Sequence, residues 1–359
     1  MNKKNIAVVF GGVSSEHDVS CVSAKSVIEN IKRDTYNVYM LGISKEGRWY
    51  LYEGDPALLP KDRWLQTDAI TPAFISPDTG AHGITVLRES GVETIYLDAV
   101  HPVLHGKNGE DGTIQGLFQL AQIPFVGCNH IASAVCMDKA FTNMIADVAH
   151  IRQAKWRSII HYEYGKYAKE FLAEAVAYLG FPIFVKPANA GSSVGISKAK
   201  NMEELIKAMT VAFAEDDKVV LEEFIDGYEV ECAVLGNQKA KASTVGEILP
   251  VNEFYDYDAK YISGTTDLAI PARNITEAQI EAVRESAIKA YKALGCAGLA
   301  RVDFFVHKQS GEVYFNEINT LPGFTSISMY PKLWEASGIR YGELLNRLIE
   351  FALERGGKV

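Results

Sequence analysis

The spacing of apolar and polar positions divides this chain into a first part of strand and helix repeats and a longer second part of mixed elements. The apolar run from Ile6 to Phe10 turns at Gly11 and Gly12. It leads into a segment where Val19, Val27, Ile28 and Ile31 share one helical face, with Ser14 and Ser15 placed to cap it. That is a βα unit. Strand-like runs at Tyr39 to Ile43, Asp98 to Leu104 and Pro124 to Gly127, with a helical pattern at Gly112 to Ala121, predict an open α/β domain over residues 1–127.

Beyond it, one helix is predicted from Ala132 to about Ala149 and another over Leu172 to Leu179, ahead of the strand Ile183 to Pro187. The stretch between them, rich in charge and tyrosine, shows no period. A helix from Met202 to Phe213 follows, then strands at Val219 to Phe224, Val230 to Leu235 and Ala242 to Ile248. A long helix, Glu277 to Leu294, precedes a hairpin of Arg301 to Val306 and Tyr314 to Asn319. The chain closes on an amphipathic helix carrying Leu344, Leu345, Leu348, Ile349, Ala352 and Leu353, stopped at Gly356. This mix predicts an α+β module, with no internal repeat.

With 359 residues, 48% of them hydrophobic, the chain can bury two or three cores. A net charge of -9 argues against nucleic acid or an anionic membrane as the main partner. No run is long and apolar enough to span a bilayer, and Met1 to Asn5 leads directly into a strand, so a cytoplasmic location is expected. Five scattered cysteines, Cys21, Cys128, Cys136, Cys232 and Cys296, read as reduced thiols rather than a disulfide or zinc framework.

The hairpin carries the sharpest chemistry. Side chains alternate along a strand, so Arg301 and Asp303 share one face, as do Glu317 and Asn319. A turn centred near Ser310 sets Asp303 opposite Glu317 and Arg301 opposite Asn319. Two carboxylates about 5 Å apart repel by roughly 3 kcal/mol at an effective dielectric near 20, which calls for a cation such as Mg²⁺. A polar hairpin facing water is the alternative, because a slip of one residue sends the carboxylates to opposite faces.

Other segments each admit two readings. Ala190 to Gly195, after Lys186, is a small-residue loop whose amides and hydroxyls suit a polyphosphate, or a plain surface turn. It is no Walker A loop, and the Phe10 to Asp18 segment lacks a dinucleotide glycine fingerprint. Glu16 either complements a helix dipole or holds an ammonium group. His105 follows a buried-looking strand, either as a structural histidine or facing a ligand. Glu222, Glu223 and Ile225, with Glu229 beyond, can meet a purine and ribose or end a solvated strand. The tyrosine-rich tract Glu253 to Tyr261 reads as a lid or as a packed surface loop.

In order and spacing these segments resemble the D-alanine-D-alanine ligases of the ATP-grasp superfamily. The likeness runs through Phe10-Gly-Gly with Glu16, His105 to Gly112, Met137-Asp-Lys139, Lys186 with Ser192-Ser193, Glu222-Glu223, Phe254 to Tyr257, Arg301-Val-Asp303 and Asn316 to Ser326. It implies an N-terminal α/β domain (1–127) followed by a two-subdomain ATP-grasp fold (128–217 and 218–359). It also implies a homodimer that joins two D-alanine molecules at the expense of ATP for peptidoglycan precursor synthesis, without nucleic acid or membrane.

The resemblance further implies residue roles. Lys139, Lys186 and Ser193 hold phosphates, and Glu222, Glu223, Ile225 and Glu229 meet adenine and ribose. Asp303, Glu317 and Asn319 bind two Mg²⁺ ions, with Mn²⁺ as a substitute. Glu16 takes the first D-alanine's ammonium, assisted by Ser192 and Tyr261 with His105 nearby. Arg301 and the backbone of Gly323 stabilise the tetrahedral oxyanion, and Ser328 and Lys260 contact the terminal carboxylate. The Tyr255 to Tyr261 loop closes during turnover.

Two places depart from the family pattern: Asn143 stands where a second lysine is usual, and Ala149 to Gln153 lacks the usual Gly and Pro turn residues. A changed helix end and altered phosphate surroundings are expected. Ligases that make D-alanyl-D-lactate or D-alanyl-D-serine are the nearest alternative. Tyr261 weighs against the first, and the apolar Met329 suits an alanine methyl better than a hydroxyl.

Overall fold

The computed structural model describes residues 3–249, 267–325 and 327–356. Three sheets occur among them. The first orders its strands β6-β5-β4-β3-β2-β1-β7: β1 (Lys4–Gly11), β2 (Tyr36–Ile43), β3 (Trp49–Tyr52), β4 (Ile70–Ile75), β5 (Gly83–Arg88), β6 (Gly91–Tyr96) and β7 (Ala99–Pro102). β1 is buried from Ala7 to Phe10 and lies parallel to both β2 and β7. This accounts for its unbroken apolar run, since helices or other layers cover both faces. From β2 to β6 the pairing is antiparallel, an extension the apolar pattern did not announce. The expected strand at Pro124 to Gly127 reduces to a single bridge between Val100 and Phe125.

The second sheet, β10-β9-β11-β8, comprises β8 (Trp156–Ile160), β9 (Ile183–Pro187), β10 (Ser197–Ala199) and β11 (Lys218–Glu223). Helices His161–Leu179 and Met202–Phe213 bury Leu172, Ala175, Leu205 and Met209 against it. The predicted helix from Ala132 to Ala149 is two helices, His130–Met137 and Lys139–Val148, broken at Asp138. The break has a local cause. Asp138 takes extended backbone (φ -88°, ψ 105°), and its carboxylate accepts from the amides of Ala140 and Phe141, so it caps the second helix.

The third sheet, β14-β13-β12-β15-β16, comprises β12 (Gly227–Gly236), β13 (Lys241–Leu249), β14 (Asp267–Ala269), β15 (Gly298–His307) and β16 (Val313–Asn319). Helix Glu277–Ala293 covers one face, opened by a complete capping box between Thr276 and Gln279. The closing helix, Tyr341–Arg355, turns Leu344, Leu345, Leu348 and Ile349 into the core that contains Ile6, Val8 and Phe10. The two ends of the chain therefore share one interior. All five cysteines are free and buried, and no helix among the described residues is long and apolar enough to cross a membrane.

Candidate active site

Glu16 stands at the carboxyl end of β1, where open α/β sheets present ligand-binding groups. Gly11 and Gly12 take left-handed backbone (φ 86° and 98°), and a side chain at Gly11 would overlap the Ile43 carbonyl. Buried His17 clamps this turn, with Nδ1 2.8 Å from the Gly12 carbonyl and Nε2 2.8 Å from Asp62 Oδ1. Ser14 and Ser15 do not cap the helix as predicted. Glu16 occupies the N-cap position without a side-chain capping bond, and Ser14 Oγ accepts from the Glu16 amide at 3.1 Å. The buried Glu16 carboxylate accepts a hydrogen bond from the Ser192 hydroxyl, so two distant segments meet here.

His105 is buried beside them. Its Nδ1 lies 3.2 Å from the Leu321 carbonyl and 3.6 Å from Glu110 Oε1, and its Nε2 lies 3.1 Å from Ser23 Oγ. Burial opposes its protonation, but Glu110 and Glu16 outweigh that and hold its pKa above the ordinary value.

Across the cavity, the hairpin has the predicted register: Arg301 pairs with Asn319, and Asp303 with Glu317. Arg301 binds Asp303 with two contacts, Nε to Oδ1 at 2.8 Å and Nη2 to Oδ2 at 2.7 Å. Burial works against the guanidinium charge, yet Asp303 and Glu231 raise its pKa well above the usual value. Asn319 Nδ2 donates to Asp303 Oδ2 at 3.1 Å. Ser328 Oγ accepts from the Thr325 amide at 3.0 Å and lies where a Cβ on Gly323 would come within 2.8 Å of it. Buried Met329 follows, in the first turn of helix Met329–Ala336.

A second row of groups forms the other cavity. Lys186 Nζ donates to Glu222 Oε2 at 2.5 Å and to Asn316 Oδ1 at 3.2 Å. Burial lowers its pKa, but Glu222, Glu317 and Glu229 outweigh this, so it stays charged. Lys139 Nζ donates to the Ala190 carbonyl at 2.8 Å and lies 4.0 Å from Glu317 Oε2. In the intervening loop Ser192 and Ser193 both adopt positive φ (50° and 60°), which turns the backbone sharply over the cavity. Glu222 and Glu223 alternate, the first toward Lys186 and the second toward Lys155. Phe184 and Phe224 stack with centroids 6.1 Å apart near Ile225, and Glu229 borders the same space.

These groups line two cavities of about 670 and 840 Å³. Both are bordered by Lys139, Ala190, Ser192, Asn316 and Glu317. The first takes in Lys186, Ser193, Glu222, Glu223, Ile225 and Glu229; the second takes in Glu16, His105, Arg301, Gly323, Ser328 and Met329. Tyr261, Lys260 and the lid tract lie outside the described residues.

Sequence reasoning missed Asn316 and Glu231. A bulge sits between the Asp303–Glu317 and Phe304–Phe315 pairs, so Asn316 is the extra residue and joins Glu317 at the cavity instead of alternating away. Glu231, on β12 opposite Asp303, lies in a strand that reads as plain core.

A divalent cation fits this chemistry. Asp303 and Glu317 are paired carboxylates on one face, and the Asn319 amide can offer its oxygen after a half-turn that gives up its bond to Asp303. The donors are all oxygen, as a hard ion requires.

Comparison with known proteins identifies the family. Residues 5–128 match the family model described as D-ala D-ala ligase N-terminus, and residues 145–350 match the one described as D-ala D-ala ligase C-terminus. The chain belongs to the D-alanine-D-alanine ligase family. Within that family it is 49% identical to the D-alanine--D-alanine ligase of Ruminiclostridium cellulolyticum, covering 99% of this chain and 96% of that one. It is 50% identical to that of Acetivibrio thermocellus, over 99% and 97%.

Two solved structures share its fold. The D-Ala:D-Ser ligase VanG from Enterococcus faecalis superposes with a TM-score of 0.89 at 39% identity, over 98% of this chain and 100% of the other. The D-alanine-D-alanine ligase from Coxiella burnetii gives 0.84 at 36%, over 98% and 96%. Against the family pattern, Asn143 is buried and donates to Glu222 Oε1 at 3.2 Å, so it supports the carboxylate that pairs Lys186. The turn after the helix is made by His150 at φ 52°, a left-handed position that needs no glycine here.

Proposed function

We infer that this protein is an ATP-dependent ligase that joins two D-alanine molecules through a D-alanyl phosphate. The observation that carries this reading is the wall common to the two cavities, made by Lys139, Ser192, Asn316 and Glu317. Phosphoryl transfer needs donor and acceptor to meet across such a boundary. ATP takes the cavity with Lys186 and Glu222, and the amino acids take the one with Glu16 and Arg301.

Glu16 holds the first D-alanine's ammonium, replacing the hydrogen bond it now accepts from Ser192. The substrate carboxylate attacks the γ-phosphorus in line, while Lys139 and Lys186 offset charge on the transferring group. ADP leaves, and the acyl phosphate remains. The amine of the second D-alanine attacks that carbonyl, and Arg301 with the Gly323 amide stabilises the tetrahedral oxyanion before phosphate departs. Ser328 and Lys260 receive the terminal carboxylate, and Met329 packs on its methyl. Asp303, Glu317 and Asn319 would hold Mg²⁺, as two ions replaceable by Mn²⁺, which would supply further charge neutralisation on the phosphates. The Tyr255 to Tyr261 loop keeps water from the acyl phosphate. The working form is a cytoplasmic homodimer.

The test is phosphate release with ATP, Mg²⁺ and D-alanine, alone and with D-serine or D-lactate, with products identified by mass. D-alanine alone is expected to suffice and to give the dipeptide. No phosphate with any D-amino acid overturns the ligase reading, and preference for a mixed product moves it to the serine- or lactate-using relatives.

A further inference from the structure

Three carboxylates lie in one row across the C-terminal sheet: Glu231 on β12 opposite Asp303 on β15, and Asp303 opposite Glu317 on β16. Glu231 and Asp303 are only 5% and 3% exposed. Such a row is unfavourable unless cations offset it. Lys139 approaches Glu317 at one end. At the other, Arg301 lies between Glu231 and Asp303, with Nε 3.0 Å from Glu231 Oε2 and 2.8 Å from Asp303 Oδ1.

We propose that Glu231 is a positioning residue for Arg301, holding its guanidinium toward the acyl-transfer centre while Asp303 is engaged elsewhere. The inference rests on the oxyanion role assigned to Arg301 above. Asp303 faces two demands, since it binds Arg301 through both oxygens and also belongs to the oxygen set suited to a divalent ion. A cation at Asp303 and Glu317 competes for those oxygens and repels the guanidinium. Glu231 lies on the opposite side of Asp303 from Glu317, outside that donor pair. The one Nε hydrogen goes to Asp303 Oδ1 here rather than to the buried Glu231 Oε2, so Glu231 holds Arg301 by charge and stands ready to take that hydrogen when Asp303 turns to a cation. Nη1, which bonds no described residue, is then left for the substrate in the cavity that Arg301 lines. Glu231 borders the same cavity, yet the reaction sequence gives its carboxylate no substrate group to hold, so its effect passes through the arginine.

The test compares E231Q, R301A and the double variant in kcat, in KM for ATP and D-alanine, and in affinity for a phosphinate dipeptide that mimics the tetrahedral intermediate. E231Q is expected to lower kcat roughly 10- to 100-fold, the usual effect of losing an outer-shell partner. Both KM values and the unfolding midpoint stay near wild type, and the mimic binds more weakly by a similar factor. Added to R301A, E231Q costs nothing further, because the residue it positions is gone. Wild-type turnover in E231Q, or an equal loss in the R301A background, overturns the proposal while leaving the arginine's role intact. Full activity in R301A overturns that role, and this inference with it. If E231Q does not fold, Glu231→Asp keeps the charge but shortens its reach by one methylene. It is expected to weaken binding of the mimic several-fold, and unchanged affinity overturns the proposal.

Discussion

Replacing Lys186 with methionine should separate its contribution to stability from its contribution to chemistry. Its ammonium lies 2.5 Å from Glu222, and the two side chains are 11% and 10% exposed, so water screens the pair little. Removing one partner from a buried pair costs about 3–5 kcal/mol, because the remaining charge is left uncompensated. Here the Asn143 amide, 3.2 Å from the other Glu222 oxygen, stays in place, which argues for the lower end, about 3 kcal/mol. Removing both charges together, as K186M/E222Q, leaves no orphan and should return stability to within about 1 kcal/mol of wild type. Phosphate release should not return. With the cation lost, both variants are expected to fall about 10²–10³-fold in turnover, the scale of losing one charge-stabilising donor. Urea unfolding at neutral pH reads the first quantity and a phosphate-release assay the second. If K186M loses less than about 1 kcal/mol, or the double variant is no more stable than the single, the buried-pair argument fails. Restored turnover in the double variant would instead show that Lys186 is not a phosphate ligand.

Glu317→Gln should abolish turnover with little change in the unfolding midpoint, and calorimetry with ADP should show weakened Mg²⁺ binding; retained activity would mean the cation site lies elsewhere. Gly106→Ala introduces a side chain at φ 69° that overlaps Glu16 Oε2 and comes within 2.8 Å of Ser14 Oγ. It should raise KM for D-alanine and cost about 1–2 kcal/mol of stability, whereas wild-type KM would separate Glu16 from substrate binding. Two buried histidines should give opposite pH dependences. His105, raised chiefly by Glu110 against the pull of burial, contributes fully below its unfolded pKa of about 6.5 and loses that contribution as pH rises through the folded value. His101, pushed down to about 4 by burial, makes stability fall as pH drops from about 6.5 toward 4. Unfolding midpoints measured from about pH 4 to above the folded His105 value should flatten on the alkaline side in His105→Gln alone, and an unchanged alkaline slope in that variant refutes the assignment.

What the sequence disclosed follows from how local each determinant is. Alternation and the turn near Ser310 pointed to the Asp303–Glu317 and Arg301–Asn319 pairs, while leaving a slip of one residue open. The helix Met202–Phe213 was plain, because its apolar face packs on a sheet. Helix His161–Leu179 was seen only from Leu172 onward, and its buried residues, Leu172, Ala175 and Leu179, all lie in that half. Its first turns are mostly exposed, with the rings of His161 and Tyr164 resting on Phe213, and carry no apolar period. The antiparallel strands from β3 to β6 were missed for a related reason: they are short, and β6 is largely exposed. Glu231 was hidden because nothing along β12 distinguishes a carboxylate that faces an arginine two strand positions away on a neighbour.

The bulge at Asn316 has a bearing on how such an enzyme can change over time. On one side of it, Phe315 continues the packing of Phe304 in the interior; on the other, Glu317 and Asn319 face the cavity. Core and chemistry are thus written on one strand in two different reading phases. Point substitutions can alter either message separately. A lost or gained residue between Phe315 and Glu317 re-phases one against the other, leaving a hairpin that still pairs and still buries its phenylalanines while its carboxylate turns away from the cavity. Length, more than residue identity, is what this strand cannot afford to vary.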